Sequence, residues 1–118
     1  MKLYGIANCN TVKKARQWLF ENHRDIPFHD FKKDGIERKL IERWLEGADW
    51  QQLINRKGTT WRQLEETEKE AIVDKESAIL LMLKKPSVIK RPILETKNRV
   101  TIGFDEAVFA ETIQNEDA

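Results

Sequence analysis

The chain has 118 residues, 21 of them basic and 20 acidic, with two histidines and one cysteine. That length suits one domain, and surface scaling buries about two-thirds of the unfolded chain's surface, enough for a core without covalent staples. One cysteine excludes an intramolecular disulfide and a cysteine-based zinc cage. A formal charge of +1 gives no global electrostatic case for nucleic acid or an anionic membrane. The 40% hydrophobic and 35% charged content is that of an ordinary globular chain, not a disordered one. No stretch reaches the roughly 18 apolar residues of a membrane span. MKLYGIANCN lacks the apolar region and cleavage site of a secretory signal. A cytoplasmic location is expected, where a single thiol stays reduced.

Lys2–Ile6 predicts a short strand ending at the polar Asn8 and Asn10. From Thr11 to Asn22, Val12, Ala15, Trp18 and Leu19 recur at helical spacing, with Asn10 or Thr11 as the expected cap. Ile26–Phe31 predicts a second strand, giving a βαβ unit long enough for parallel pairing. After the Asp34-Gly35 turn, Leu40, Ile41, Trp44 and Leu45 form one helical face that stops at Gly47. A short segment around Trp50–Ile54 follows, then Thr60-Trp61-Arg62-Gln63, which matches a capping box. The helix it opens would carry Leu64 and Ile72, with EETEKE as its solvated face. Ser77–Lys85 predicts a more buried helix stopped by Pro86.

Val88–Lys90 reads as a β run that Arg91-Pro92 interrupts and Ile93–Glu95 resumes, and Val100–Gly103 completes a hairpin. Asp105 caps a closing helix with Val108, Phe109 and Ile113 as its stripe. The order is βαβ, about four helices, then ββα. This predicts an α/β fold in one domain spanning residues 1–118, with a helical insert at approximately 36–85.

Cys9 falls in the loop between the first strand and the first helix. Exposed amides and the helix dipole favour an anion there, which lowers a thiol from its usual pKa of about 8.5. Lys13 and Lys14 add positive charge one turn on. A lone cysteine also serves as a small core residue, but flanking asparagines in a βα turn suit a core filler poorly. The four tryptophans fit core positions where helical faces meet. His23 and His29 lack metal-ligand spacing, so no metal is expected, and no nucleotide cofactor is expected either; His29 could act as general base for Cys9, although the helix terminus already supplies activation.

Three segments carry a family resemblance: YGIANCNTVKKAR at Tyr4–Arg16, RKGTTWR at Arg56–Arg62 and IKRPIL at Ile89–Leu94. Together they resemble the ArsC/Spx/YffB family over essentially the whole chain. The resemblance implies a thioredoxin-like fold with the helices inserted between the βαβ and ββα halves. It implies Cys9 as nucleophile, with Arg56 and Arg91 as anion-holding arginines. A third family arginine finds no match, and Gly103 stands near its expected place. Spx-type relatives carry C-x-x-C, whereas Val12 stands three residues after Cys9 here, so turnover needs an external thiol.

Glutathione is the cosubstrate implied, with contacts from Asn8, Thr11, Lys13, Arg56 and Arg91, and with Pro92 as the cis-proline of a thioredoxin-like site. The expected function is a glutathione-dependent thiol oxidoreductase acting on a protein disulfide or a small molecule such as arsenate. The alternative is a non-enzymatic, Spx-like regulator contacting RNA polymerase. Neither membrane nor direct nucleic-acid contact is expected.

Overall fold

The computed structural model describes residues 1–117 and divides into two compact units. The first comprises Met1–Gly35 and the chain from Arg91 onward; the second is Ile36–Lys90.

In the first unit, β1 (Lys2–Gly5), α1 (Asn10–Glu21) and β2 (Phe28–Asp30) form the expected βαβ crossover. After a short helical turn α2 (Phe31–Asp34), this unit resumes with β3 (Ile93–Glu95), β4 (Val100–Ile102) and the last helix of the chain (Glu106–Asp117). The sheet order is β2-β1-β3-β4. β1 pairs parallel with β2, placing Gly5 opposite Asp30, and antiparallel with β3, placing Tyr4 opposite Ile93. β3 and β4 are antiparallel, with Ile93 opposite Ile102. The second strand is shorter than its β propensity suggests. Pro27 enters the ladder only through its carbonyl, which accepts the Leu3 N–H at 2.9 Å, and at the other end Asp30 turns the chain into α2.

Strand alternation sends Leu3 and Leu94 to one sheet face, where Ala15 and Leu19 of α1 and Phe109 and Ile113 of the last helix bury with them. Trp18 closes this cluster edge-on to Phe104 and Phe109, at centroid distances of 6.4 and 5.9 Å. Asp105 caps the last helix as expected, accepting the Val108 N–H at 3.1 Å. The start of α1 approaches the sheet closely, since a Cβ on Gly5 would lie 2.8 Å from Val12 Cγ2.

The second unit holds α3 (Arg38–Leu45), α4 (Trp50–Leu53), α5 (Thr59–Arg62), α6 (Glu66–Glu70) and α7 (Lys75–Lys84), then a 3-10 turn at Pro86–Val88. The closing helix of the first unit is accordingly α8. α3 packs on α7, burying Ile41 and Trp44 on one and Ala78, Ile79, Leu81 and Met82 on the other. Arg38 of α3 forms a two-pronged ion pair with Glu76 of α7.

Several local expectations are corrected here. The cap of α1 is Cys9 itself, not Asn10 or Thr11. No capping box forms at Thr60 and Gln63: α5 is one turn begun at Gly58, and Gln63 is its C-cap. Leu64 is buried ahead of α6, and Ile72 lies beyond it, so the expected longer helix is broken in two. The reciprocal box instead opens α7, where Asp74 accepts the Ser77 N–H at 2.8 Å and Ser77 Oγ accepts the Asp74 N–H at 3.1 Å. Val88–Lys90 is not a strand. Val88 ends the 3-10 turn, and Ile89 makes only an isolated antiparallel bridge to Ile54. Trp44 is fully buried and Trp18 packs against the core, but Trp50 and Trp61 are only half-buried.

Gly5→Ala is expected to destabilise the protein by about 1–3 kcal/mol through overpacking against Val12, measured by urea unfolding. Asp74→Ala should lower the urea midpoint through loss of the capping box, while Thr60→Ala leaves it unchanged.

Candidate functional site

Topology gathers the site at one end of the sheet. β1 is central, so the loop after Gly5 leaves beside the end of parallel β2 and the beginning of antiparallel β3. Cys9, Asp30 and Arg91 are therefore carried to the same edge by different segments, and Gly103 follows β4 there. Cys9 is half-buried and occupies the N-cap position of α1 with extended backbone, φ −130° and ψ 126°. Its carbonyl accepts the Lys13 N–H at 2.9 Å, the first bond of the helix.

The Cys9 sulfur thus stands where capping residues normally place an oxygen. A neutral thiol accepts hydrogen bonds weakly, and no full capping bond forms. The backbone N–H groups of Val12 and Thr11 nonetheless act on it, as does the Arg91 guanidinium. Burial is the largest single influence and pushes the thiol up. The Val12 amide, the hydrogen bond and charge of Arg91, and the Thr11 amide together outweigh it, so the thiol lies below its ordinary value.

Arg91 is half-buried, and Pro92, joined to it by a cis peptide bond, is buried. The Pro92 carbonyl accepts the Gly103 N–H at 2.8 Å, tying the segment before β3 to the end of β4. Gly103 has φ of 86°, a conformation that favours glycine. Asn8, Thr11 and Lys13 have exposed side chains around the Cys9 loop. Arg56 belongs to the helical unit, where it is exposed with its guanidinium 5.6 Å from the Trp61 ring centroid. Its loop is tightened by Asn55, whose side chain accepts the Lys57 N–H at 3.2 Å.

His29 is engaged elsewhere: its Nε2 lies 2.8 Å from the Gly35 carbonyl, and its ring stacks obliquely on Tyr4 at 5.3 Å. No group of three or more His, Cys, Asp or Glu that could hold a metal occurs among the described residues.

Sequence reasoning missed Asp30. One carboxylate oxygen accepts the Lys32 and Lys33 N–H groups at 2.9 and 3.4 Å, capping α2. The other accepts the Ala7 N–H at 3.2 Å, in the loop leading to Cys9. An Asp ahead of FKKD is a legible cap signal. Its reach to residue 7, however, is a tertiary contact with no local signature.

The ArsC family profile matches residues 4–112. The chain belongs to the ArsC family. The solved structure of the YffB protein is 48% identical, covers 92% of this chain and 95% of its own, and superposes with a TM-score of 0.87. An arsenate reductase (ArsC) related protein of Brucella melitensis is 43% identical over 97% of this chain and 96% of its own, with a TM-score of 0.75. Among curated proteins, the global transcriptional regulator Spx of Listeria innocua is 28% identical, covering 88% of this chain and 79% of that protein. The α/β architecture described above is the thioredoxin-like fold of the ArsC family. No described helix is long and apolar enough to cross a membrane.

Iodoacetamide should alkylate Cys9 with a midpoint below the roughly 8.5 of a free thiol, since only the thiolate reacts. The rate falls as pH drops through that midpoint. Arg91→Leu removes both a hydrogen bond and a charge, so the midpoint should rise and the rate at a pH below it should fall, by up to about tenfold.

Proposed function

We propose that this ArsC-family protein is a glutathione-dependent thiol oxidoreductase with Cys9 as its single nucleophile. The observation that carries the proposal is the convergence of the Val12 and Thr11 amides and the Arg91 guanidinium on one sulfur. Such an environment lowers the thiol and so favours the thiolate, the form that attacks disulfides. The reducing cytoplasm expected from the sequence supplies glutathione.

In the first step the Cys9 thiolate attacks the glutathionyl sulfur of a mixed disulfide, R–S–S–G. A Cys9–S–S–G bond forms, the original S–S bond breaks, and R–S⁻ leaves and takes a proton from solvent. In the second step a glutathione thiolate attacks the glutathionyl sulfur held on Cys9. Oxidised glutathione departs and the Cys9 thiolate returns. The substrate disulfide gains two electrons, and two glutathione equivalents end as one disulfide. The sequence contains no second cysteine to complete the cycle internally.

The assigned glutathione contacts are Asn8, Thr11, Lys13, Arg56, Arg91 and Pro92. Arg91 and Arg56 would offer planar forks to carboxylates, which a lysine cannot reproduce. The backbone before Pro92 would align the peptide, and Asn8, Thr11 and Lys13 would line the approach to the sulfur. This reading takes the chain as one domain with the helical unit inserted between the two halves of the fold. The Spx similarity supports a second reading, contact with RNA polymerase without turnover.

Incubating the protein with glutathione and a small mixed disulfide should give catalytic thiol release and a Cys9 adduct of one glutathionyl group by mass spectrometry. Cys9→Ser should lose both, and Arg91→Leu should lower kcat/KM by about tenfold or more. Running the assay with arsenate in place of the disulfide tests the second substrate. Full turnover in Cys9→Ser overturns the proposal. Absence of any glutathione adduct, with co-purification of RNA polymerase, selects the second reading.

A further inference from the structure

The loop that delivers Cys9 is short, and its attachment to the fold is unusual. Between Gly5, the last residue of β1, and Cys9, the cap of α1, lie only Ile6, Ala7 and Asn8. Ala7 and Asn8 are exposed and form a turn. The Ala7 N–H is bound by the Asp30 carboxylate across the sheet end, at 3.2 Å.

That carboxylate is itself immobilised. The Lys32 and Lys33 amides hold its other oxygen, and the Asp30 N–H donates to Asp34 Oδ2 at 3.0 Å. A fixed side chain on β2 thus pins a point two residues before the sulfur. We propose that Asp30 is a positioning residue for Cys9: by holding the Ala7 amide it fixes the loop so that the sulfur faces the Val12 and Thr11 amides and Arg91.

The physical reason is geometric. Stabilisation of a thiolate by amide hydrogens weakens steeply once the contacts lengthen or tilt. A loop released at residue 7 lets the cap backbone at Cys9 sample other φ and ψ values, and the sulfur then spends time away from its donors. The charged groups facing Asp30 are Lys33, whose charge acts on the carboxylate, and Asp34 through the bond already named. The charge facing Cys9 is that of Arg91. Burial tends to raise the Asp30 carboxyl, but the Lys32, Ala7 and Lys33 amides and the Lys33 charge hold it below the ordinary carboxylate value. The latch is therefore charged throughout the pH range in which a thiol titrates, and an alkylation profile reports the sulfur rather than Asp30.

This inference rests on the thiolate reading of Cys9 and is independent of the cosubstrate. The test uses Asp30→Ser, which keeps one oxygen to cap α2 but cannot also reach Ala7. The alkylation midpoint of Cys9 is measured together with amide hydrogen exchange at Ala7, and urea unfolding serves as the control for folding. The expected result is faster exchange at Ala7 and a raised midpoint, with the alkylation rate at a pH below the midpoint reduced by up to about threefold.

An unchanged midpoint with a freed Ala7 amide overturns the proposal, and so does an Ala7 amide that stays protected. If Asp30→Ser does not fold, Asp30→Asn is read by the same two measurements. Arg91→Leu separates the two levels of the argument. A midpoint that fails to move in that variant overturns the thiolate reading itself, whereas a shift there with none in the Asp30 variants overturns only the role of Asp30.

Discussion

The feature on which the site depends is the close seating of α1 on the end of β1. Because Gly5 has no Cβ, Val12 can lie against the strand where a methyl group would be only 2.8 Å away. The same seating sets the first turn of the helix next to the sheet end and makes Cys9 the cap. Leu3, Ala15 and Leu19 extend the contact into the core, so the position of the sulfur is supported by buried apolar area as well as by hydrogen bonds. Topology does the rest. A central strand with one parallel and one antiparallel neighbour brings the end of β2 and the start of β3 to the same edge. Residues 30 and 91, far apart in sequence, then flank the loop that holds residue 9.

The electrostatics of Cys9 are a contest in which burial and donors act in opposite directions. A half-buried sulfur loses water, which alone would keep it protonated. Two backbone amides and one guanidinium replace that water with fixed dipoles and a charge, and together they outweigh burial, so the thiol is lowered. Such donors require no reorganisation when charge appears, and this separates an activated thiol from one merely placed at a surface. Lys13 and Lys14, exposed on the first turn, are a weaker source of field because solvent screens them.

Much of this was legible in the sequence. The β1–α1–β2 order, the closing hairpin and the buried stripe of α8 follow from residue periodicity, and Cys9 at a helix start follows from its place in a βα turn. What escaped has a common physical cause. The Thr60–Gln63 pattern satisfies a capping box locally, yet the chain turns at Gly58 and again after Gln63, and tertiary packing of Leu64 takes precedence over the local signal. Val88–Lys90 has strand-forming residues, but Pro86 begins a 3-10 turn, and only Ile89 finds a partner strand position, at Ile54. The reach of Asp30 to Ala7 was invisible because that bond spans 23 residues. That Cys9 holds the cap position was hidden because asparagine and threonine, the usual caps, stand beside it.

Gly103 bears on the substrate class through the backbone rather than through a side chain. With φ of 86° it occupies a region where an L side chain costs about 1–3 kcal/mol, and its N–H is committed to Pro92. An arginine at this position would strain the connection that holds the Arg91–Pro92 segment beside Cys9. The backbone therefore opposes a third guanidinium at this place. A compact oxyanion with charge on every face gains more from a third donor. On the proposed reading, the conformation of Gly103 biases this member of the family toward thiol-peptide chemistry.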